Sequence, residues 1–321
     1  MRILAFGYHD QTSARHWTMA RDMLAEGIEL VECHTSARGF WRKYRDLARQ
    51  FRMKRRNVEG VLVTFPGHYL VPLAWILTRF PRRKLLFDAF LSLYDTEVHD
   101  RRRVSRASPK AWFLWMVDWL SMHMADVVFI DTQAHKDYLS ETFHLRPDRI
   151  RVVYLGSRTD IFRPRKSQLT TRKSQFSNIL FCGTFIPLQG IEHILRAAQM
   201  LQHSHSSIRF TLIGKGQTEC AMRAMANDLH LSNVRFEPPV PYRQLPDRIR
   251  GADLCLGIFG TSGKAGRVIP HKVWDSVACG VRVVTADTPA IREKFANHPL
   301  VILCKAGDPE DLARTIENAI R

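Results

Sequence analysis

The chain has 321 residues, 45% hydrophobic and 25% charged, which is more than one domain usually holds and excludes a disordered or fibrous polypeptide. Its formal net charge of +17 is spread over both halves, which points to an anionic partner: nucleic acid, phosphorylated small molecules or an acidic membrane face. The six cysteines, Cys33, Cys182, Cys220, Cys255, Cys279 and Cys304, form no CxxC pair, so reduced core thiols are expected and a disulfide framework or zinc site is not.

The chain opens directly into a strand at residues 3–6, with no signal peptide expected. Helices and strands then alternate: a helix at 13–26, a strand at 30–33, a helix at 40–56, a strand at 61–64, a helix at 70–79 and a strand at 85–88. A long helix at 109–125, a strand at 127–131, a helix at 134–143 and a strand at 150–153 complete the first half. No window offers about 18 uninterrupted apolar residues. The nearest, 111–130, is broken by Asp118, His123 and Asp126 and is expected to be a half-buried helix followed by a strand. Continuous apolar runs separated by helices predict a parallel sheet covered on both faces, hence a Rossmann-like domain over 1–165.

Residues 166–178 are polar and basic and are expected to be a linker. The alternation then restarts over 179–321: a strand at 179–182, a helix at 191–201, a strand at 210–213, a helix at 218–229, a strand at 234–236, a helix at 242–251 and a strand at 254–257. A strand at 301–303 and a helix at 309–320 close it. The fold class is therefore α/β, with two doubly wound Rossmann-like domains, whose ligand sites are expected at the carboxyl ends of the strands, facing each other across a cleft.

The run LGIFGTSGKAGRVIPHKVWDSVACGVRVVT, residues 256–285, concentrates Gly260, Gly263 and Gly266 with Lys264, Arg267 and Lys272 ahead of a helix expected to start at Pro270 and to stop at Gly280. Glycines that admit close approach, helix N-terminal amides and nearby cations together suit an anion, most simply phosphate. A glycine-rich strand-to-helix loop with surface cations is the plainer alternative.

The segment ADVVFIDTQAHKDYLSETFHLRPDRIRVVYLGSRTDIFRP, from Ala125 to Pro164, resembles the end of the N-terminal domain in family-4 glycosyltransferases of the GT-B fold. The series continues with ILFCGTFIPLQGIEHILRAAQML, FTLIGKGQ, VRFEPPVPYRQLPDRIRGADLCL and DSVACGVRVVT. It runs roughly from Asp126 to Thr285, and its order carries more weight than any one motif. Before it, the chain matches only in architecture.

The resemblance implies transfer of a sugar from a nucleotide-diphosphate donor, usually with retention and without an obligatory metal, at a donor site built by 179–321, with 1–165 on the acceptor side. Fixed cations and helix amides can stabilise the departing diphosphate in a metal's place. The family grips the diphosphate with an Arg and a Lys in the loop opening the second domain, where this chain has Thr184 and Gln189. The family's signature acidic pair reads Arg267 and Asp275 here. The cation duty is therefore expected at Lys264, Arg267 and Lys272, with Gly183 and Thr184 as backbone and hydroxyl donors. Ile269 and Pro270 lead into the helix, and Asp275 is expected to accept from the ribose hydroxyls. Lys215 and Gly216 are placed at the mouth of the site, and Glu237 where the base-binding loop would be. On the acceptor side, His9 and Asp10 lie in the loop after the first strand, where the family's glycine pair is missing. Asp88 ends another strand near the family's His-Asp element, with Phe87 in the histidine's place. These three are the candidate catalytic residues, with Asp95 and His99 in reserve.

The basic aromatic run from Trp41 to Arg56 is expected to lie on an anionic membrane or to be a solvated face. A lipid-linked or glycan acceptor, a cytoplasmic location and peripheral attachment to the inner membrane face would follow. Two other functions compete: a nucleic-acid binder, motivated by charge yet lacking a recognition motif, and a non-catalytic nucleotide-sugar binder or epimerase of the same fold. Family members run on past the helix at 309–320 to one that crosses back onto the first domain, whereas this sequence ends at Arg321.

Overall fold

The computed structural model describes residues 1–164, 177–204 and 207–321, in two compact units, Met1–Leu155 and Gly156–Arg321. The first unit contains strands β1 (Arg2–Gly7), β2 (Glu29–His34), β3 (Gly60–Val63), β4 (Lys84–Asp88), β5 (Val127–Ile130) and β6 (Ile150–Val152). Its helices are α1 (Ala14–Ala25), α2 (Phe40–Lys54), α3 (Val71–Leu77), α4 (Pro109–Met124) and α5 (Gln133–Phe143). The strands pair in parallel in the order β2-β1-β3-β4-β5-β6. Side chains alternate faces along a strand, and both faces are covered. Leu4, Phe6, Val61, Val63 and Phe87 pack with Leu47, Phe51, Leu139 and Phe143 from α2 and α5. On the other face Ile3, Leu62, Leu86 and Phe129 pack with Met19 and Met23 from α1.

The second unit repeats the plan with β7 (Ser177–Cys182), β8 (Ile208–Ile213), β9 (Val234–Glu237), β10 (Leu254–Leu256), β11 (Val283–Ala286) and β12 (Val301–Cys304). The helices are α6 (Ile191–Ser204), α7 (Glu219–Asp228), α8 (Leu245–Arg250), α9 (His271–Ala278), α10 (Pro289–Phe295) and α11 (Pro309–Ile320). The parallel order is β12-β11-β10-β7-β8-β9. Phe181, Phe185 and Phe210 fill the core against Ala197, Ala198 and Ile316.

Both sheets reverse direction of growth once, between β1 and β3 in the first and between β7 and β10 in the second. At such a switch point the loops leaving the two strands diverge and open a crevice at the carboxyl edge, where α/β proteins bind ligands. Side-chain caps fix several helix starts: Ser13, Ser108, Thr132, Thr288 and Asp308 accept from the amides of His16, Ala111, His135, Ile291 and Asp311, each contributing about 1 kcal/mol.

The two doubly wound parallel sheets agree with the fold class read from the sequence, and several details differ from it. Of the expected linker, 166–176 lie outside the described residues, while Ser177 and Asn178 already belong to β7. Their amides donate to Ser207 O and Asp253 Oδ2, so polar side chains there do not prevent a strand. Helix α9 begins at His271 with Pro270 as its cap, not its first residue. The helix expected from residue 242 begins with a 3-10 turn, Tyr242–Gln244. Helix α10 and a π-helical turn, Asp95–Asp100, were not expected from the sequence. All six cysteines are free thiols, four of them buried; Cys182 is half-buried and Cys220 exposed.

Candidate functional site

Of the residues expected at the donor site, Gly183, Lys215, Gly216 and Lys272 meet at the carboxyl end of β7 in the second unit, whereas Glu237 ends β9. β7 runs out into Gly183 and the exposed Thr184, and β10 runs out into the glycine-rich loop that ends at α9. Gly183 is held from the β8 side as well: its N–H donates to Ile213 O at 3.0 Å, and the amide of Phe185 donates to Lys215 O at 3.0 Å. Gly214 lies so close to the Gly183 carbonyl that a Cβ would overlap it, so a glycine is required at that crossing. Gly183, Lys215 and Gly216 thus form one laced pair of loops.

Lys272, in the first turn of α9, reaches back into this corner. Its ammonium donates to Gln189 Oε1 and lies 3.7 Å from the centroid of the Phe181 ring. A Cβ on Gly183 would fall 2.8 Å from Lys272 Nζ, so the glycine leaves the space that the ammonium uses. Burial pushes the Lys272 ammonium down to about 7, because a cation loses hydration there and gains no carboxylate. The Lys272 amine therefore stands beside the neutral Gln189.

One turn further along α9, Asp275 is buried and accepts from Ser157 Oγ at 2.6 Å. Burial pushes its carboxyl up to about 7, against the lowering effect of that hydroxyl. Ser157 comes from the turn quoted in the resemblance, which is anchored by the Phe162 ring against Tyr242 (5.2 Å between centroids) and by the Arg158–Asp160 pair at 2.6 Å. Asp275, expected to be a ribose acceptor, thus already holds one hydroxyl. Pro270 gives α9 no side-chain acceptor at its N-terminus, where amides and dipole favour an anion.

Lys264 is buried and Arg267 half-buried, on the 3-10 turn Ala265–Arg267 and its cap. The Arg267 guanidinium packs against Gly263, and Ile269 is buried. Glu237 ends β9, where its carboxylate pairs with Arg248 and, at 3.3 Å, with Arg235; these pairs engage it from both sides.

In the first unit the three candidate catalytic residues have different surroundings. Asp88 is buried and accepts from Arg15 Nε (3.1 and 3.2 Å) and Arg15 Nη2 (2.6 Å), while Arg15 Nη1 donates to Val153 O at 2.6 Å. Arg15 therefore ties α1 to the ends of β4 and β6, a role the sequence reading did not assign. Asp10 is exposed and accepts from the Thr12 amide and hydroxyl at 2.8 and 2.7 Å, bonds that hold its carboxyl below the usual carboxylate range. His9 is buried at the β1/β3 switch point with Nδ1 at 2.7 Å from Thr64 Oγ1. Asp95 and His99 lie in the π-helical turn; Asp95 is buried, and His99 packs on Tyr94.

Comparison with known proteins bears on the fold and the family likeness. Residues 177–321 match the family model described as Glycosyl transferases group 1. The chain is 28% identical over 207 residues to a D-inositol 3-phosphate glycosyltransferase of Thermobispora bispora, covering 60% of this chain and 47% of the relative. A protein of the same name from Acidothermus cellulolyticus is 31% identical over 206 residues, covering 60% of this chain and 45% of the relative. The chain spans about half the length of the curated relatives it matches. The crystal structure of Anabaena HepE in complex with UDP and glucose superposes with a TM-score of 0.72 at 14% identity, covering 100% of this chain and 90% of that one. The two-sheet architecture is that of the GT-B glycosyltransferases, and residues 177–321 are similar to the group 1 glycosyl transferases.

Proposed function

We propose that the protein transfers a sugar, with retention, from a nucleotide-diphosphate sugar to a glycan or lipid-linked acceptor, and that Gly156–Arg321 binds the donor. The observation that carries this is Lys272: a cation held by Gln189 and Phe181 at the carboxyl edge of β7, beside Gly183 and above the N-terminal turn of α9. A diphosphate there would receive the ammonium, the loop amides and the helix dipole together, which is what a departing nucleoside diphosphate requires in the absence of an obligatory metal. HepE was solved with UDP and with UDP-glucose, and the curated relatives bear the name of glycosyltransferases, which supports the same reading. Lys264 and Arg267 supply further positive charge to this loop, Thr184 a hydroxyl, and Asp275 with Ser157 a polar pair for the nucleoside.

Thermal melting against a panel of nucleoside diphosphates tests the binding half. At 100 times the dissociation constant a ligand adds about 2.7 kcal/mol to stability, so at least one base should raise the melting temperature by several degrees. No shift with any base at millimolar concentration removes the proposal. A non-transferring nucleotide-sugar binder or epimerase is the second reading, favoured by the engagement of the Asp88 carboxylate with Arg15. Release of free sugar from the stabilising donor separates the two.

We also propose that α2 rests on an anionic membrane surface. No helix among the described residues is long and apolar enough to cross a membrane, but α2 exposes Phe40, Trp41 and Met53 among Arg42, Arg45, Arg49 and Arg52 while burying Leu47 and Phe51. Each cation near such a surface contributes about 1 kcal/mol. Co-sedimentation with anionic vesicles is expected and should weaken with salt and with Trp41→Ala; equal recovery with neutral and anionic vesicles would count against it.

A further inference from the structure

A second polar centre lies in the first unit, at the switch point of its own sheet. His9 leaves the end of β1, His16 stands in the first turn of α1, and Glu32 projects from β2, opposite Ala5 in the β1 register. One ligating atom of each lies within 4.8 Å of the other two. His9 Nε2 is 3.2 Å from Glu32 Oε2, and His16 Nε2 is 2.9 Å from Glu32 Oε1.

Three features distinguish this centre from an ordinary ion pair. First, His9 Nε2 and Glu32 Oε2 are buried and face each other, yet neither makes a hydrogen bond among the described residues. Second, Thr64 Oγ1 donates to Phe6 O at 3.3 Å and lies 2.7 Å from His9 Nδ1. Nδ1 is thus engaged by Thr64, which leaves Nε2 as the ring nitrogen that faces the carboxylate. Third, the two imidazoles stack at 4.3 Å between centroids with 25° between planes. One cation shared by the two imidazoles and the carboxylate would hold the three groups together, after some rotation of the rings out of the stack.

We infer that His9, His16 and Glu32 form a binding site for a zinc-class divalent cation. The separations of 2.9 and 3.2 Å, one to each oxygen of Glu32, bring both imidazole nitrogens to the same carboxylate. Two imidazoles with one carboxylate select zinc, cobalt or nickel over magnesium or calcium, which take oxygen sets. Thr64 acts as the outer partner that holds the His9 ring orientation. His34 Nε2, bonded to the His9 carbonyl at 3.0 Å, steadies the same loop. The His9 side chain is 2% exposed, His16 13% and Glu32 38%, so the open fourth position faces the Glu32 side and takes water or an oxygen of a ligand. The inference is independent of the proposed sugar transfer.

The test is zinc binding by the metal-stripped full chain, measured by competition with a chromogenic chelator, with cobalt(II) as the spectroscopic probe. One equivalent of zinc is expected. Cobalt should give the intense visible ligand-field bands of a tetrahedral site without a thiolate charge-transfer band, which separates the site from the cysteines. The isosteric Glu32→Gln is expected to lower zinc affinity at least 100-fold, and His16→Ala similarly, with magnesium unable to compete. Failure of the wild type to bind one zinc, an octahedral or thiolate cobalt spectrum, or unchanged affinity in Glu32→Gln overturns the assignment. The wild-type spectrum decides the matter even if neither variant folds.

Discussion

Lys272→Met should lower turnover with the nucleotide-sugar donor by about 10²–10³, the loss usual when one fixed donor to developing transition-state charge is removed. Methionine keeps most of the side-chain length and the contact with Phe181, so the fold should stand. It should in fact become slightly more stable, because a buried ammonium whose proton affinity is depressed to about 7 costs free energy in the unliganded protein. The loss should appear in kcat as well as KM, since the charge on the diphosphate grows as the sugar departs. Steady-state kinetics with circular dichroism as a folding control measure both. Wild-type kcat in a folded Lys272→Met protein would show that the leaving group is stabilised elsewhere, with Arg267 and Lys264 the next residues to replace.

Asp88→Asn should destabilise the first unit by about 3–5 kcal/mol, because it leaves the Arg15 guanidinium buried without its counter-charge. Both side chains are almost completely buried, 6% and 4% exposed, so water cannot take over. Arg15 also fastens Val153 at the end of β6, so the loosened guanidinium unlocks two strand ends from α1. Replacing both partners with apolar residues of similar volume should restore most of the loss, since the desolvation cost disappears with the charges. Chemical denaturation of the single and double variants reads this out. An Asp88→Asn protein as stable as the wild type, yet inactive, would return Asp88 to a catalytic role.

The strands of both sheets were legible because a parallel sheet covered on two faces demands continuous apolar runs, and Ile3–Phe6 or Val283–Val284 can be little else. Helix starts were legible where Ser13, Ser108 or Asp308 precede an amphipathic run. The π-helical turn Asp95–Asp100 was not. It follows Ser92, Leu93 and Tyr94, which donate to the Asp118 carboxylate from 24 to 26 residues away. Asp118 looked from the sequence like an interruption of α4; three donors make it a fully buried junction instead. Helix α10, a short element held by Thr288 and by Phe295 against Trp274, likewise depends on what it packs upon.

The corner proposed for the donor shows the same division. Its glycines and cations stood out in the sequence because a strand, a Gly-rich loop and a helix start follow one another. Which cation would occupy the corner was a question of distance in space: Lys272 meets Gln189 from 83 residues away, and Asp275 meets Ser157 from 118. Ser157, Arg15, His16 and Glu32 carried no local signal, although the seven-residue step from His9 to His16 and the carboxylate on β2 become suggestive once β1 and β2 are known to be neighbours.

Titration calorimetry with the stabilising nucleoside diphosphate, at about pH 8 in buffers of different ionisation enthalpy, examines Lys272 at the diphosphate. Unliganded Lys272, lowered to about 7, is mostly neutral there. A diphosphate within reach of Nζ restores the charged form, so binding should take up close to one proton per site, and the uptake should disappear in Lys272→Met together with most of the affinity. Binding of wild-type strength without proton uptake, or uptake that persists in the variant, would contradict the placement of the diphosphate at Lys272.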